Sequence, residues 1–296
     1  MKWRMWLLLL VSFLAGCEKN ITLNLHNQNP VLVVDAEIEN GQPPVVVLSA
    51  SLNYFSTISP SELAATFVHG AHITVSNGST TVVLKEFSNT DSSGFKVYYY
   101  TANEGNPDSV LLGQLNRQYT LSITTADGQN YTSTTTIPPL AKTLDSLWWK
   151  PAPDNPDTSR CVMFGQFTDP KGYGNYIRYF TKVNSGPYLT ASNSAFDDEF
   201  TDGQTYSLQF DMGYDRNVVT KNNDDIGFAH RGDTVTVKFC NIDKASYDFW
   251  RTWEFAYQST NNPFSSPVKV SGNVSNGALG AFCGYAAEYK TIIIPK

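Results

Sequence analysis

Leu115-Asn116-Arg117-Gln118-Tyr119-Thr120-Leu121-Ser122-Ile123 is followed by Asp127-Gly128 and then by Asn130-Tyr131-Thr132-Ser133-Thr134-Thr135-Thr136-Ile137. Apolar and polar residues alternate along the first segment and β-formers fill the second. Between them, Asp-Gly supplies the left-handed dihedrals that a tight hairpin requires. A tyrosine that enters an alternating strand just after a turn, with a leucine four residues earlier, fits the tyrosine corner of immunoglobulin-like and fibronectin-like sandwiches. Its hydroxyl would satisfy a backbone group otherwise buried without a partner.

The same alternation extends toward the N-terminus. Val31–Ile38 and Val45–Ala50 flank the turn Asn40-Gly41-Gln42-Pro43-Pro44, His72–Ser76 and Thr80–Phe87 flank Asn77-Gly78, and Phe95–Thr101 runs through Tyr98, Tyr99 and Tyr100. With the first hairpin this predicts seven strands in roughly 110 residues, the density of an immunoglobulin-like β-sandwich, over residues 30–140. Residues 51–69 form a long irregular connection with one helical turn expected after Pro60. Ile137-Pro138-Pro139 closes the series, because proline cannot donate to a ladder. A second β-rich domain is expected over 141–296, with strands at Leu144–Trp149, Cys161–Thr168, Asn175–Val183, Gln204–Met212, Thr234–Ile242, Gly280–Tyr285 and Tyr289–Ile294. Within it, Tyr247, Trp250, Trp253 or Glu254, and Tyr257 recur at helical spacing after Asp243, a good N-cap. This predicts one amphipathic helix over about 243–257, its aromatic stripe packed on a sheet. The fold class is therefore all-β, a sandwich followed by a β-rich domain carrying one helix.

The N-terminus has a different chemistry. Lys2 and Arg4 precede an apolar run from Trp6 to Leu14, then Ala15-Gly16-Cys17. The run is near 9 residues rather than the ~20 that span a bilayer, and it ends in small residues before a cysteine. This is a lipoprotein signal peptide over 1–16, with Cys17 the acylated first residue of the mature chain. The polar residues 17–29 read as a tether. Membrane lipid is thus the first expected partner, through the acyl chains on Cys17.

Composition narrows the function classes. Loss of the leader leaves 19 basic residues against 27 acidic ones, so no basic field exists to attract nucleic acid. Beyond Cys17 the cysteines are Cys161, Cys240 and Cys283. Three thiols allow at most one disulfide, and each lies in an apolar run where cysteine serves as a small hydrophobe. His69 and His72 are three apart in a segment that favours a strand, which sends them to opposite faces, so they do not read as joint ligands; His26 and His230 stand alone. Asp197, Asp198, Glu199 and Asp202, with Gly203 after them, are weak candidates for calcium, since their spacing departs from the Asp-x-Asp-x-Asp-Gly loop. The same four carboxylates are the ones a glycosidase would use. No nucleophile elbow, zinc-helix motif or phosphate loop is present, and no cofactor is called for. Trp148-Trp149 and Tyr98–Tyr100 offer stacking faces for a sugar, one residue of each adjacent pair being expected in the core.

Several motifs along the chain carry a family resemblance. They are Cys17-Glu18-Lys19 followed by Pro30-Val31-Leu32-Val33-Val34-Asp35-Ala36-Glu37-Ile38, and Phe167-Thr168-Asp169-Pro170-x-Gly172-x-Gly174-Asn175-Tyr176. Phe196-Asp197-Asp198-Glu199-Phe200-x-Asp202-Gly203, Gly232-Asp233-Thr234-Val235-x-Val237 and Asn262-Pro263-Phe264-x-x-Pro267 through Asn273 to Gly277-x-x-Gly280-x-Phe282 complete the set. Together they resemble uncharacterised lipoproteins of Bacteroidota outer membranes that carry a domain of unknown function and are encoded beside TonB-dependent receptors. The resemblance implies an accessory role at such a transporter and assigns no catalytic residue. Only Glu18 precedes Lys19 and Asn20, without the acidic run of surface-exported lipoproteins, so periplasm-facing and medium-facing orientations both stand.

The function expected from sequence is a non-enzymatic, lipid-anchored outer-membrane protein that captures or hands over a ligand, glycan or peptide, at a TonB-dependent β-barrel receptor. An adhesion or structural surface protein is the second expectation and a carbohydrate-active enzyme the third. Mass spectrometry of the mature polypeptide is expected to find Cys17 at the N-terminus carrying diacylglycerol, and Cys17→Ser is expected to leave the leader uncut; an unmodified thiol would remove the membrane assignment.

Overall fold

Strands hold 49% of the chain and helix 9%, so the fold is all-β. The computed structural model describes residues 29–52, 59–90, 94–103, 110–153, 155–216, 225–260 and 268–296. The leader, Cys17, His26 and the tether up to residue 28 lie outside the described residues.

Period-two alternation sets the first seven strands: β1 (Leu32–Glu39), β2 (Val45–Ala50), β3 (His72–Ser76), β4 (Thr81–Thr90), β5 (Lys96–Thr101), β6 (Arg117–Thr124) and β7 (Asn130–Ile137). On β1, Leu32, Val34, Ala36 and Ile38 are buried while Asp35 and Glu37 face out; β6 turns Tyr119, Leu121 and Ile123 inward. Strands β1, β2 and β5 form one layer and β3, β6 and β7 the other. Strand β4 belongs to both, its Thr81–Leu84 half pairing with β3 and its Lys85–Thr90 half with β5. The ladder thereby folds over on itself, and the two inner faces enclose one core. Each fully buried aliphatic or aromatic side chain there contributes about 1.5–3 kcal/mol. The helical turn after Pro60 is present as α1 (Pro60–Ala64), started by a capping box between Ser59 and Glu62.

Tyr119 occupies the corner that its sequence context predicts. The ring is fully buried and its hydroxyl accepts from the Gln114 N–H at 2.7 Å while donating to the Leu112 carbonyl at 3.4 Å.

The second half supplies β8 (Thr143–Pro151), β9 (Arg160–Thr168), β10 (Tyr176–Val183), β11 (Ala195–Phe196), β12 (Thr205–Phe210), β13 (Ala229–His230), β14 (Thr234–Ile242), α2 (Lys244–Ser259) and β15 (Leu279–Ile293). Strand β9 is the centre of a four-stranded sheet, with β8 on one side and β12 and β13 on the other. That sheet packs against β10 and β14, and Phe167, Tyr179, Phe210 and Phe239 meet between them.

Two expectations from sequence are corrected. Gly280–Tyr285 and Tyr289–Ile294 are one strand, because the intervening Ala286, Ala287 and Glu288 continue the ladder with β14. The division at residue 140 is also crossed: β15 pairs in parallel with β1 through Val33–Glu39 before pairing with β14, so Phe282 and Ala286 lie in the first core. That pairing has a long range in sequence, which local alternation does not encode.

Helix α2 lies on the far side of the large sheet from the four-stranded one. Asp243 starts it with Oδ1, which accepts from the Ser246 N–H at 2.9 Å, while Oδ2 accepts from the Thr136 N–H at 2.8 Å and the Thr135 hydroxyl at 3.0 Å. One carboxylate thus caps the helix and satisfies the edge of β7. The aromatic stripe packs inward as expected through Tyr247, which stacks on Tyr176, and Trp250, 3.3 Å from the Arg178 guanidinium, but its last member, Tyr257, is exposed and stacks on Trp253. Glu254, also in the stripe, is buried and accepts from the Ser194 N–H through both oxygens.

Tyr119→Phe is expected to leave the Gln114 N–H without its acceptor, at a cost of about 1–3 kcal/mol. Thermal unfolding should register it as a fall of roughly 2–4 °C per kcal/mol; an unchanged Tm would show that the corner bond adds nothing.

Candidate functional site

The two sheets of the second half part on the side where β12 is the last strand. The segment after β10 returns there as β11 and a short loop, Asp197 to Gly203. Between this segment and β12 lies a cavity of about 630 Å³, within the ~300–1,000 Å³ typical of small-ligand sites. Its floor is the core itself, with Phe167, Tyr179, Phe210 and Phe239 buried beneath it. Its rim is apolar and wet: Phe196 is 39% exposed, Leu208 50% and Phe200 85%. Holding a phenyl ring that far into water has no packing benefit, so Phe200 is available to a ligand.

A few polar groups converge on the mouth. Asp197, Asp211, Asn193, Gln209 and Arg251 line it. Asp197 accepts from the Tyr247 hydroxyl at 2.7 Å, and Arg251 reaches the Asn193 amide oxygen at 3.5 Å. Burial, then the bond to Asp197, pushes the Tyr247 phenol well above its ordinary range, so it remains a donor that orients the carboxylate. An apolar floor with a few oriented polar groups can bind and orient a ligand. Among the described lining residues there is no histidine, cysteine or lysine to act as base or nucleophile.

The wall is held from below. Lys142 and Asp169, both buried, form an ion pair at 2.7 Å, and the Thr201 hydroxyl, on the cavity wall, donates to the same Asp169 oxygen at 2.8 Å. Lys142 Nζ also donates to Thr201 Oγ1 at 3.0 Å and lies over the Tyr206 ring.

The four acidic candidates from sequence sit at this loop but do different work. Asp198 is buried and accepts from the Gly174 N–H at 3.1 Å, the Asn175 N–H at 3.0 Å and the Asn175 side-chain amide at 3.1 Å. Asp202 accepts from the Gly172 N–H at 2.5 Å. These two clamp the glycine-rich 172–175 turn, whose Gly172 and Gly174 have positive φ. Asp197 faces the cavity and Glu199 is exposed to solvent. No group of three or more His, Cys, Asp or Glu arranged to hold a metal ion occurs among the described residues.

The remaining candidates lie elsewhere. His69 Nδ1 is 2.6 Å from Glu86, which also accepts from the Tyr100 hydroxyl and the Gly70 N–H; His72 is exposed on β3, and His230 is near Asp225. Tyr100 is in the first core and Tyr98 packs on Phe67 and His69. Trp148 and Trp149 are both half-buried: Trp149 packs against the second core and lies under Arg231, while Trp148 stacks on Phe164. Cys161, Cys240 and Cys283 are buried free thiols. Burial pushes Cys240 and Cys283 up to about 12, which leaves both uncharged and unreactive.

The sequence reading did not single out Tyr206, Leu208 and Phe210 as a wall, nor Arg251 as a rim residue. Residues at 206, 208 and 210 share one face of a strand, which is a signal for a core face; that the face stands half open depends on the partner sheet ending early.

A family model described as Domain of unknown function (DUF4249) matches residues 18–291. The chain belongs to the DUF4249 family. The matched span takes in every element that forms the cavity in this DUF4249 chain. No curated protein matches it.

The clamp on the rim loop is expected to be acid-sensitive. Burial raises the Asp198 pKa, but the hydrogen bonds from Asn175 and Gly174 outweigh it and hold the carboxyl below its ordinary range. With the folded pKa below the unfolded one, the carboxylate stabilises the fold above about pH 4, and this is lost as pH falls through the folded value. Asp198→Asn should cost about 1.5–3 kcal/mol at neutral pH, the range for hydrogen bonds to a charged group. Melting curves of both proteins should converge as the solution is acidified; a constant gap would overturn the assignment.

Proposed function

We propose that this DUF4249 chain is a lipid-anchored accessory protein of the outer membrane that holds a ligand in the cavity beside β12 and passes it to a TonB-dependent β-barrel receptor. The cavity carries the reading: an apolar floor, exposed rings at the rim and a few oriented polar groups form a reversible binding site. Two sequence features support the placement. The lipobox ending at Cys17 would fix the chain to lipid, and two or three acyl chains, at about 0.8 kcal/mol per buried methylene, make such an anchor effectively permanent. The family match starts one residue after that cysteine, as expected if the cleaved, lipid-bearing form is the functional unit. The motifs shared with lipoproteins encoded beside TonB-dependent receptors supply the partner class.

A tagged full-length chain extracted from outer membranes in mild detergent is expected to bring a β-barrel receptor with it. Phe200→Ala removes an exposed ring without opening the core, so it should lower uptake through that receptor while leaving co-purification intact. Recovery of the chain without any barrel would overturn the handover role.

A further inference from the structure

The cavity opens over a sheet edge of unusual composition. Strand β12 reads Thr205-Tyr206-Ser207-Leu208-Gln209-Phe210, with strong β-formers and no charge, proline or glycine. Edge strands are ordinarily blunted by shortness, charge, proline or a covering segment, because their unpaired N–H and C=O groups are a template for another strand. The other edges here are treated that way. β7 is covered by Ser275, whose N–H donates to the Thr132 carbonyl and whose hydroxyl accepts from the Thr132 N–H, and by Asp243 at Thr136. β11 has two residues, and β8 ends in Lys150-Pro151.

The orientation of β12 follows from its pairing with β9. The Asp169 N–H donates to the Gln204 carbonyl at 2.9 Å, and the Thr168 and Thr205 hydroxyls touch at 2.9 Å, as side chains of a non-hydrogen-bonded antiparallel pair do. Backbone groups of the even residues 204, 206, 208 and 210 therefore face β9, and those of Thr205, Ser207 and Gln209 face away. Among the described residues no backbone hydrogen bond reaches these three. The free edge ends at Asp211, whose carbonyl accepts from the Tyr179 hydroxyl at 3.2 Å.

We propose that the ligand is an extended peptide that adds to β12 as a further strand. This rests on the reading of the cavity as the ligand site. A peptide backbone presents donors and acceptors at the repeat that Thr205, Ser207 and Gln209 offer, which a glycan does not. Alternate side chains of the added strand would fall on the face of Tyr206, Leu208 and Phe210, into the cavity and against Phe196 and Phe200, so the peptide is apolar at alternate positions. The mouth carries Asp197 and Asp211 against Arg251 alone, which favours a peptide of net positive charge.

The test uses the purified full-length chain in detergent and three labelled pools: peptides of about ten residues that alternate Leu, Val or Phe with Lys or Thr, the same peptides N-methylated along the backbone, and neutral oligosaccharides. The first pool is expected to bind and the second to fail. Ser207→Pro deletes an outward N–H that β9 does not use, so it should weaken peptide binding by about tenfold or more, while Ser207→Ala should not. Where Ser207→Pro fails to fold, by melting and near-ultraviolet dichroism, the N-methylated pool still decides, because it alters only the probe. Equal binding of methylated and unmethylated peptides overturns strand addition. Oligosaccharide binding without peptide binding also overturns it and leaves the cavity as a ligand site, whereas no binding of any pool overturns both.

Discussion

One strand makes the two halves of the chain a single hydrogen-bonded system. The first seven residues of β15 pair in parallel with β1 and the last nine in antiparallel with β14, and Tyr285 belongs to both ladders. Parallel pairing cannot be made by a hairpin, so the chain must return after all other strands are placed. The return is tight. At Gly280, in the left-handed region, a Cβ would lie 1.9 Å from the Val34 carbonyl oxygen; at Gly284 it would lie 2.7 Å from that of Thr136. Side chains at these positions would push β15 off β1 and off β7. Once seated, the strand carries its own lock: the Tyr285 hydroxyl accepts from Arg178 at 2.9 Å and from the Trp250 indole at 3.0 Å, joining the sheet to α2.

A second constraint sets the geometry of the cavity. Lys142 lies in the link between the halves, and its backbone exchanges hydrogen bonds with the Asn241 side chain, both at 2.9 Å. Its ammonium is spent on Asp169 and Thr201. A buried ion pair gives little net stability relative to an apolar pair of the same shape, yet loss of one partner costs about 3–5 kcal/mol because the other charge is stranded. The pair therefore acts less as a source of stability than as a restriction on position. The link, the β9 end and the cavity wall must meet at one point.

How much of this was legible follows from range. Tyr119, the Asn-Gly and Asp-Gly hairpins, the turn after Pro60 and the Asp243 N-cap are set within a few residues of themselves, and their elements were readable, although the two hairpin loops run over residues 77–80 and 125–129 and only Gly78 and Gly128 take positive φ there. The stripe likewise announced the packed face of the helix by its period at Tyr247, Trp250 and Glu254, whereas Tyr257 at its end is exposed. The joining of Gly280–Tyr285 to Tyr289–Ile294 was hidden because Ala286-Ala287-Glu288 has no strand signature apart from the ladder that holds it. At the candidate site, Asp197, Asp198, Glu199 and Asp202 stand out in the sequence as carboxylates, whereas Phe196 and Phe200 beside them form the rim of the cavity. Arg251 joins the site through a helix packed on the other face of the sheet, a relation without trace in spacing.

The clustered acids and the exposed rings are best understood together. A ring at 85% exposure, such as Phe200, binds well only if its backbone is fixed beforehand, since ordering a loop at the moment of binding costs about 1–2 kcal/mol per residue. Asp198 and Asp202 take up the N–H groups of the neighbouring glycine turn, and Thr201, between them, is tied to the Lys142–Asp169 pair. Phe200 thus sits between anchored residues, and Phe196 is held by β11 against β10. Polar groups fix the loop from one side so that apolar groups can be offered from the other. A rim of this kind is held in place by polar and charged groups and not by its own packing, which explains why carboxylates crowd a cavity whose floor is almost wholly hydrocarbon.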